Sequence, residues 1–126
     1  MTTRRILIID DEEAILAVAK LSLKMMTAWE VVTATSGPEG VIKAETEQPD
    51  VVLLDVMMPQ MDGITTFKQL QENSKTQTIP VILLTAKAQA TEQRQYKEIG
   101  VADVITKPFN SLTLANQIAK ILDWRL

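Results

Sequence analysis

The chain has 126 residues, a net charge of −3 and 46% apolar residues, with acidic and basic side chains interspersed, a composition that fits one globular domain able to bury a core. It has no cysteine and no histidine. That excludes disulfides, thiolate chemistry, a Ser-His-Asp triad and imidazole ligation of zinc, and it means that the chain cannot carry a phosphohistidine itself. No Lys/Arg cluster offers the basic patch that contact with nucleic-acid phosphates requires. Only Ile6–Ile9 are apolar between Arg5 and Asp10, too short a run for a signal peptide or a membrane span. The expectation is a single cytoplasmic domain over 1–126, with no membrane or direct nucleic-acid partner.

The elements follow in chain order. Ile6-Leu7-Ile8-Ile9 reads as a strand closed by Asp10-Asp11. Ile15, Val18, Leu21 and Met25 then fall near a 3.6 period and read as the inner face of a first helix. Trp29 to Ala34 is a second, weaker strand. Ser36-Gly37-Pro38-Glu39 opens the second helix as a capping box with proline in the first turn. Val51 to Leu54 is a third strand, closed by Asp55; Asp62 caps a third helix with Ile64, Phe67 and Leu70 inward. Pro80 to Leu84, closed by Thr85, is the fourth strand, followed by a short polar helix around Thr91 to Ile99 that Gly100 stops. Asp103 to Thr106 is the fifth strand, closed by Lys107-Pro108. The last helix carries Leu114, Ile118, Ile121 and Leu122 on one face, with Asn110 or Ser111 as its cap.

The first, third and fourth runs are apolar at every position, which is the pattern of strands covered on both faces of a parallel sheet. Strict alternation of strand and helix implies an α/β, doubly wound (βα)5 fold, whose ligand site lies beyond the carboxyl ends of its strands. The residues that end the strands are Asp10-Asp11, Asp55, Thr85 and Lys107. Each has an ordinary structural explanation alone: an acidic helix start, a turn residue, a core-edge threonine, a solvated lysine. Their convergence on one edge points to chemistry. Two like charges about 4 Å apart repel by roughly 4 kcal/mol at an effective dielectric near 20. Mg²⁺ suits such an all-oxygen set and offsets the repulsion. A carboxylate can act as nucleophile and become an aspartyl phosphate, with Lys107 supplying an ammonium and Thr85 a hydroxyl to the phosphoryl oxygens.

Four segments together resemble the receiver domain of two-component response regulators: Ile8-Ile9-Asp10-Asp11-Glu12, Leu53 through Gly63 (LLDVMMPQMDG), Leu84-Thr85-Ala86, and Lys107-Pro108-Phe109. The resemblance spans essentially the whole chain. It implies a flavodoxin-like sheet of order 2-1-3-4-5. Asp55 would accept a phosphoryl group from a sensor histidine kinase or histidine phosphotransfer protein. Asp10, Asp11, Asp55 and the Met57 carbonyl would hold Mg²⁺, Lys107 would bind a phosphoryl oxygen, and Thr85 would report the phosphate. Lys107-Pro108 would be a cis peptide, and Pro59 with Asp62-Gly63 would shape the turn into the third helix. Such a protein is a switch acting on a downstream protein target, and turns over no external substrate. An aspartyl phosphohydrolase of the haloacid-dehalogenase type is disfavoured because Asp55 is followed by Val56 and Met57 rather than entering an Asp-x-Asp pair. A flavin mononucleotide carrier is disfavoured because Asp10-Asp11-Glu12 would repel its phosphate.

The chain also departs from the family's usual pattern. Val104 stands where many members carry the Tyr or Phe that moves with the threonine, so the switch is expected to run without that ring. Met57 and Lys87 occupy the two positions that help orient the hydrolytic water in fast-relaxing members, which leads us to expect slow self-dephosphorylation. Val56 replaces the tryptophan that often follows the phosphorylated Asp, and Trp29 and Trp124 are both expected at the amino edge of the sheet, far from the site.

Overall fold

A computed structural model describes residues 3–58, 61–86 and 90–125. Five strands, β1 (Arg5–Ile9), β2 (Glu30–Ala34), β3 (Val51–Asp55), β4 (Val81–Thr85) and β5 (Asp103–Thr106), alternate with five helices, α1 (Glu13–Met26), α2 (Gly37–Glu47), α3 (Gly63–Glu72), α4 (Ala90–Glu98) and α5 (Leu114–Leu122). All strand pairs are parallel, in the order β2-β1-β3-β4-β5. The chain begins mid-sheet, builds β2 on one side and then crosses to β3 on the other. The point of reversal, where such folds place their ligands, therefore lies between β1 and β3.

Alternate strand residues feed two separate cores. Ile6, Ile8, Leu53, Ile82 and Leu84 pack beneath α1 and α5 through Leu16, Ala19, Leu23, Leu114 and Ile118. Leu7, Ile9, Val52, Leu54, Val81 and Leu83 pack beneath α2 and α3 through Ala44, Phe67 and Leu70. Helices on both faces are the reason that β1, β3 and β4 read as unbroken apolar runs. Each fully buried Leu or Ile contributes about 1.5–3 kcal/mol by leaving water.

The helix ends follow local chemistry. Ser36 Oγ accepts from the Glu39 N–H at 3.3 Å, while the Glu39 carboxylate accepts from the Thr35 N–H at 2.6 Å, one residue earlier than in the usual reciprocal box. Asp62 Oδ1 accepts from the Thr65 N–H at 2.8 Å and starts α3, a bond that lowers its pKa. Gly100 ends the α4 turn at φ +112°, a conformation that side chains disfavour. The start of α5 differs from expectation. Asn110 Oδ1 accepts from the Leu112 N–H at 2.8 Å and organises a preceding turn, and Thr113 is the N-cap, its hydroxyl donating back to the Asn110 carbonyl at 3.3 Å instead of capping the helix. Only Leu114 and Ile118 of the expected α5 face are fully buried; Ile121 and Leu122 pack at its margin.

The inner face of α1 also requires correction. Val18, Leu21 and Met25 are 49%, 62% and 76% exposed, and the buried residues are Leu16, Ala19, Ser22 and Leu23. Helix α1 is apolar on two faces, and both obey a helical period. The face with Ala19 won because a small residue lets the helix approach the sheet. Buried Ser22 is satisfied there by donating its hydroxyl to the Ser111 carbonyl.

Candidate functional site

The strand register brings the expected residues together. Ile9 is paired with Leu54, so Asp10 and Asp55 follow level with each other on β1 and β3. Asp55 pairs with Leu84, Thr85 with Thr106, and the next residue along is Lys107. Asp10, Asp11 and Asp55 each present one carboxylate oxygen, and all three oxygens lie within 4.8 Å of one another. Asp10 and Asp55 are buried, whereas Asp11 is exposed at the mouth.

Each buried carboxylate is held by neighbours. Asp10 Oδ1 accepts from the Glu12 N–H at 2.9 Å, a local turn that fixes the side chain. Asp10 Oδ2 accepts from Lys107 Nζ at 2.8 Å, and the same ammonium lies 3.1 Å from Asp55 Oδ1. Asp55 Oδ1 also accepts from the Met57 N–H at 3.3 Å. Burial and then the charge of Asp10 push the Asp55 carboxyl up to about 6, while Lys107 and the Met57 N–H act in the opposite sense. Burial works against the Lys107 ammonium, but Asp10 and then Asp55 outweigh it and hold its pKa above the ordinary lysine value. Among the described residues, one ammonium is thus shared by Asp10 and Asp55, with Asp11 a third carboxylate beside them. The excess negative charge and the hard oxygen donors fit a divalent cation such as Mg²⁺.

The backbone around Asp55 is also fixed. The Gly63 N–H donates to the Val56 carbonyl at 3.0 Å. A Cβ on Gly63 would come within 2.3 Å of the Asp55 carbonyl oxygen, so only glycine allows α3 to start against this turn. The Asp62-Gly63 pair was visible in the sequence as a turn, but this close approach was not.

The remaining expected residues fall as follows. Thr85 is buried at the end of β4, and its carbonyl accepts from the Lys107 N–H at 2.8 Å. Met57, two residues after Asp55, is 67% exposed. Lys107-Pro108 is cis. Val104 is half-buried and lines a groove of about 830 Å³ along edge strand β5, between Gln93 of α4 and Gln117 of α5. Lys87 and Pro59 lie outside the described residues. Among the described residues, no helix is long and apolar enough to cross a membrane.

Known proteins resemble this chain in sequence and in fold. Residues 6–119 match the model of the response regulator receiver domain. The chain is 38% identical over 119 residues to the alkaline phosphatase synthesis transcriptional regulatory protein PhoP of Bacillus subtilis, covering 94% of this chain but 48% of that protein. It is 38% identical over 119 residues to protein PilH of Pseudomonas aeruginosa, covering 94% of this chain and 97% of PilH. The chain therefore spans about half of the first relative and nearly all of the second. Another relative, RpaA of Synechocystis, 36% identical over 118 residues, is named a DNA-binding regulator and is about twice the matched length, at 48% coverage. Among solved structures, the chemotaxis response regulator CheY4 of Vibrio cholerae superposes with a TM-score of 0.88 at 29% identity, covering 95% of this chain and 99% of that one. With residues 6–119 matching that model and relatives 38% identical over nearly the whole chain, the chain belongs to the response regulator receiver domain family of two-component systems.

Proposed function

We propose that the domain, taken as one unit over 1–126, is a phosphorylation switch that receives a phosphoryl group on Asp55 from a histidine kinase or histidine phosphotransfer protein. The observation that carries this reading is the meeting of three carboxylates within 4.8 Å, two of which, Asp10 and Asp55, share the Lys107 ammonium. Asp10, Asp11, Asp55 and the Met57 carbonyl would hold Mg²⁺. The ion, when bound, supplies positive charge to the phosphoryl oxygens. Asp55 is the nucleophile. Asp10 is held by Glu12 and Lys107, and Asp11 stands at the mouth where an ion enters. Lys107 transfers its charge from the carboxylates to the incoming phosphoryl group, and the buried Thr85 hydroxyl offers a further donor.

Phosphorylation would then be read on the face containing Thr85, Val104 and the groove along β5. Val104 fills less space than a ring, and the response is carried by a smaller rearrangement in contact with a downstream protein. Met57 gives no strong hydrogen bond to a hydrolytic water and, with Lys87, makes loss of the phosphoryl group slow. The domain acts in the cytoplasm, turns over no external substrate and makes no direct contact with nucleic acid. Incubation with acetyl phosphate and Mg²⁺, followed by intact-mass analysis, tests the reading. The expected result is a gain of one phosphoryl unit that disappears in Asp55→Asn. A gain that persists in that variant would remove Asp55 from its role.

A further inference from the structure

Sulfur chemistry in this chain belongs to methionine alone, since it has six methionines and no cysteine. Among the described residues, the surroundings of the thioethers differ. Met58 is buried, and Met61 fills the notch beside Gly37, where an added Cβ would come within 2.5 Å of Met61 Cε. Met25 and Met26 are exposed, but they end α1, roughly 18 Å along the helix from its start beside the acidic site. Met57 is exposed too, and it stands at the site itself. Its N–H donates to Asp55 Oδ1 at 3.3 Å, which holds the base of the side chain against the reactive carboxylate. An unbranched, flexible thioether is thus tethered beside the reactive centre and open to solvent. The acidic site repels anions, but hydrogen peroxide is neutral and meets no such barrier.

We infer that Met57 is a reversible oxidation site, and that its sulfoxide shortens the life of the phosphoryl group on Asp55. The inference rests on the reading of Asp55 as the phosphoryl acceptor and adds a regulation of that same site. In the oxidation, a sulfur lone pair attacks one oxygen of hydrogen peroxide. The S–O bond forms and the O–O bond breaks. The departing hydroxide takes the proton of the transferred hydroxyl and leaves as water, so sulfur loses the two electrons that the peroxide gains. A reductase that uses a dithiol reverses the step, releasing water and leaving a disulfide on the reductant. The thioether is a weak hydrogen-bond acceptor, whereas the sulfoxide is polar and its oxygen accepts strongly. That oxygen takes a hydrogen from a water at the mouth and steadies the attack of this water on phosphorus. The apolar side chain that shelters the phosphoryl group becomes a polar one that helps to remove it.

Oxidation before phosphorylation tests this. The full chain is treated with hydrogen peroxide, the oxidised positions are mapped by peptide mass, and the protein is loaded with phosphoramidate and Mg²⁺. Phosphate release is timed once the donor is removed. Met57 should oxidise together with Met25 and Met26 and ahead of Met58. The oxidised wild type should lose phosphate about tenfold faster than the reduced protein, the effect of one water-orienting contact. Treatment with methionine sulfoxide reductases A and B should restore the slow rate. In Met57→Leu, which keeps the volume but has no sulfur, peroxide should leave the rate where it was. Oxidation of Met57 no faster than of Met58 would overturn the inference. So would an unchanged rate in wild type with Met57 fully converted, or an equal acceleration in Met57→Leu. Failure of the oxidised protein alone to load would move the effect to phosphorylation and contradict the claim about lifetime. If the reduced wild type accepted no phosphoryl unit, the acceptor reading itself would fall, and the inference with it.

Discussion

The two edges of the sheet treat charge in opposite ways. At the amino edge, Arg5 pairs with Glu30 at 2.7 Å and donates to the Glu47 carbonyl at 2.7 Å, while its own N–H is accepted by Asp50 at 2.7 Å. Trp29 and Trp124 meet edge to face at 5.4 Å, and the Arg4 guanidinium sits 4.3 Å from the Trp124 ring centre. These groups are matched and partly solvated, and they hold the fold together with modest energies. At the carboxyl edge, three carboxylates meet, and two of them, the buried Asp10 and Asp55, share one ammonium. That arrangement costs stability until another positive charge arrives. Mismatched charge inside a well-packed scaffold marks the functional end; matched charge marks the structural end.

Substitutions at the carboxyl edge should therefore change chemistry more than folding. The largest effect is expected for Lys107→Ala, which removes the ammonium that meets the phosphoryl group. Loss of one such preorganised donor slows a reaction by about 10²–10³-fold, which a time course of phosphorylation by phosphoramidate would measure. The next effect is on stability. Burial pushes the Asp55 carboxyl up to about 6 in the folded chain, against 3.8 for an ordinary aspartate. Between those values the folded state holds the extra proton, so without metal stability falls as pH rises from about 4 to about 6 and then levels off. Relative to Asp55→Asn, the wild type should lose on the order of 2 kcal/mol over that window, measured by urea melts in chelator. Equal pH profiles for the two proteins would show that Asp55 is not strained.

A smaller effect concerns the lifetime of the phosphorylated form. Converting Met57→Asn and Lys87→Glu together should speed phosphate loss by about tenfold, the equivalent of one water-orienting contact. Phosphate release from purified phospho-protein gives the rate, and equal rates would show that neither side chain governs access of water. The smallest effect is expected at the opposite edge. Trp29 and Trp124 lie about one strand length, roughly 17–20 Å, from the acidic site, so Mg²⁺ should leave intrinsic fluorescence nearly unchanged. A strong quench would mean that the two edges communicate.

The contrast also explains what was legible in the sequence. Strand ends could be read because β1, β3 and β4 are buried on both faces, and a polar residue after such a run marks the point where the chain leaves the sheet. Asp10, Asp55 and Thr85 were found this way, whereas Lys107 follows the only partly buried β5 and was read from the Lys-Pro pair that closes it. The inner face of α1 was misread because Leu16-Ala19-Leu23 and Ile15-Val18-Leu21-Met25 carry the same period, and periodicity cannot say which stripe meets the sheet. The α5 cap was misplaced because Asn110 organises a turn that the helix does not directly continue. The sharing of Lys107 between Asp10 and Asp55 was not visible either, since that contact joins residues far apart in the chain and depends on side-chain reach.

The claim that the carboxyl edge is held in electrostatic excess is tested most directly by thermal melts with and without Mg²⁺, in the wild type and in Asp11→Asn. A ligand specific to the folded state adds about 2.7 kcal/mol at a hundredfold excess over its dissociation constant. The wild type should gain a corresponding rise in Tm on addition of Mg²⁺. Asp11→Asn should start from a higher Tm in chelator and gain less from the ion. An Asp11→Asn protein that is no more stable than the wild type without metal, and that responds to Mg²⁺ as fully, would contradict the account.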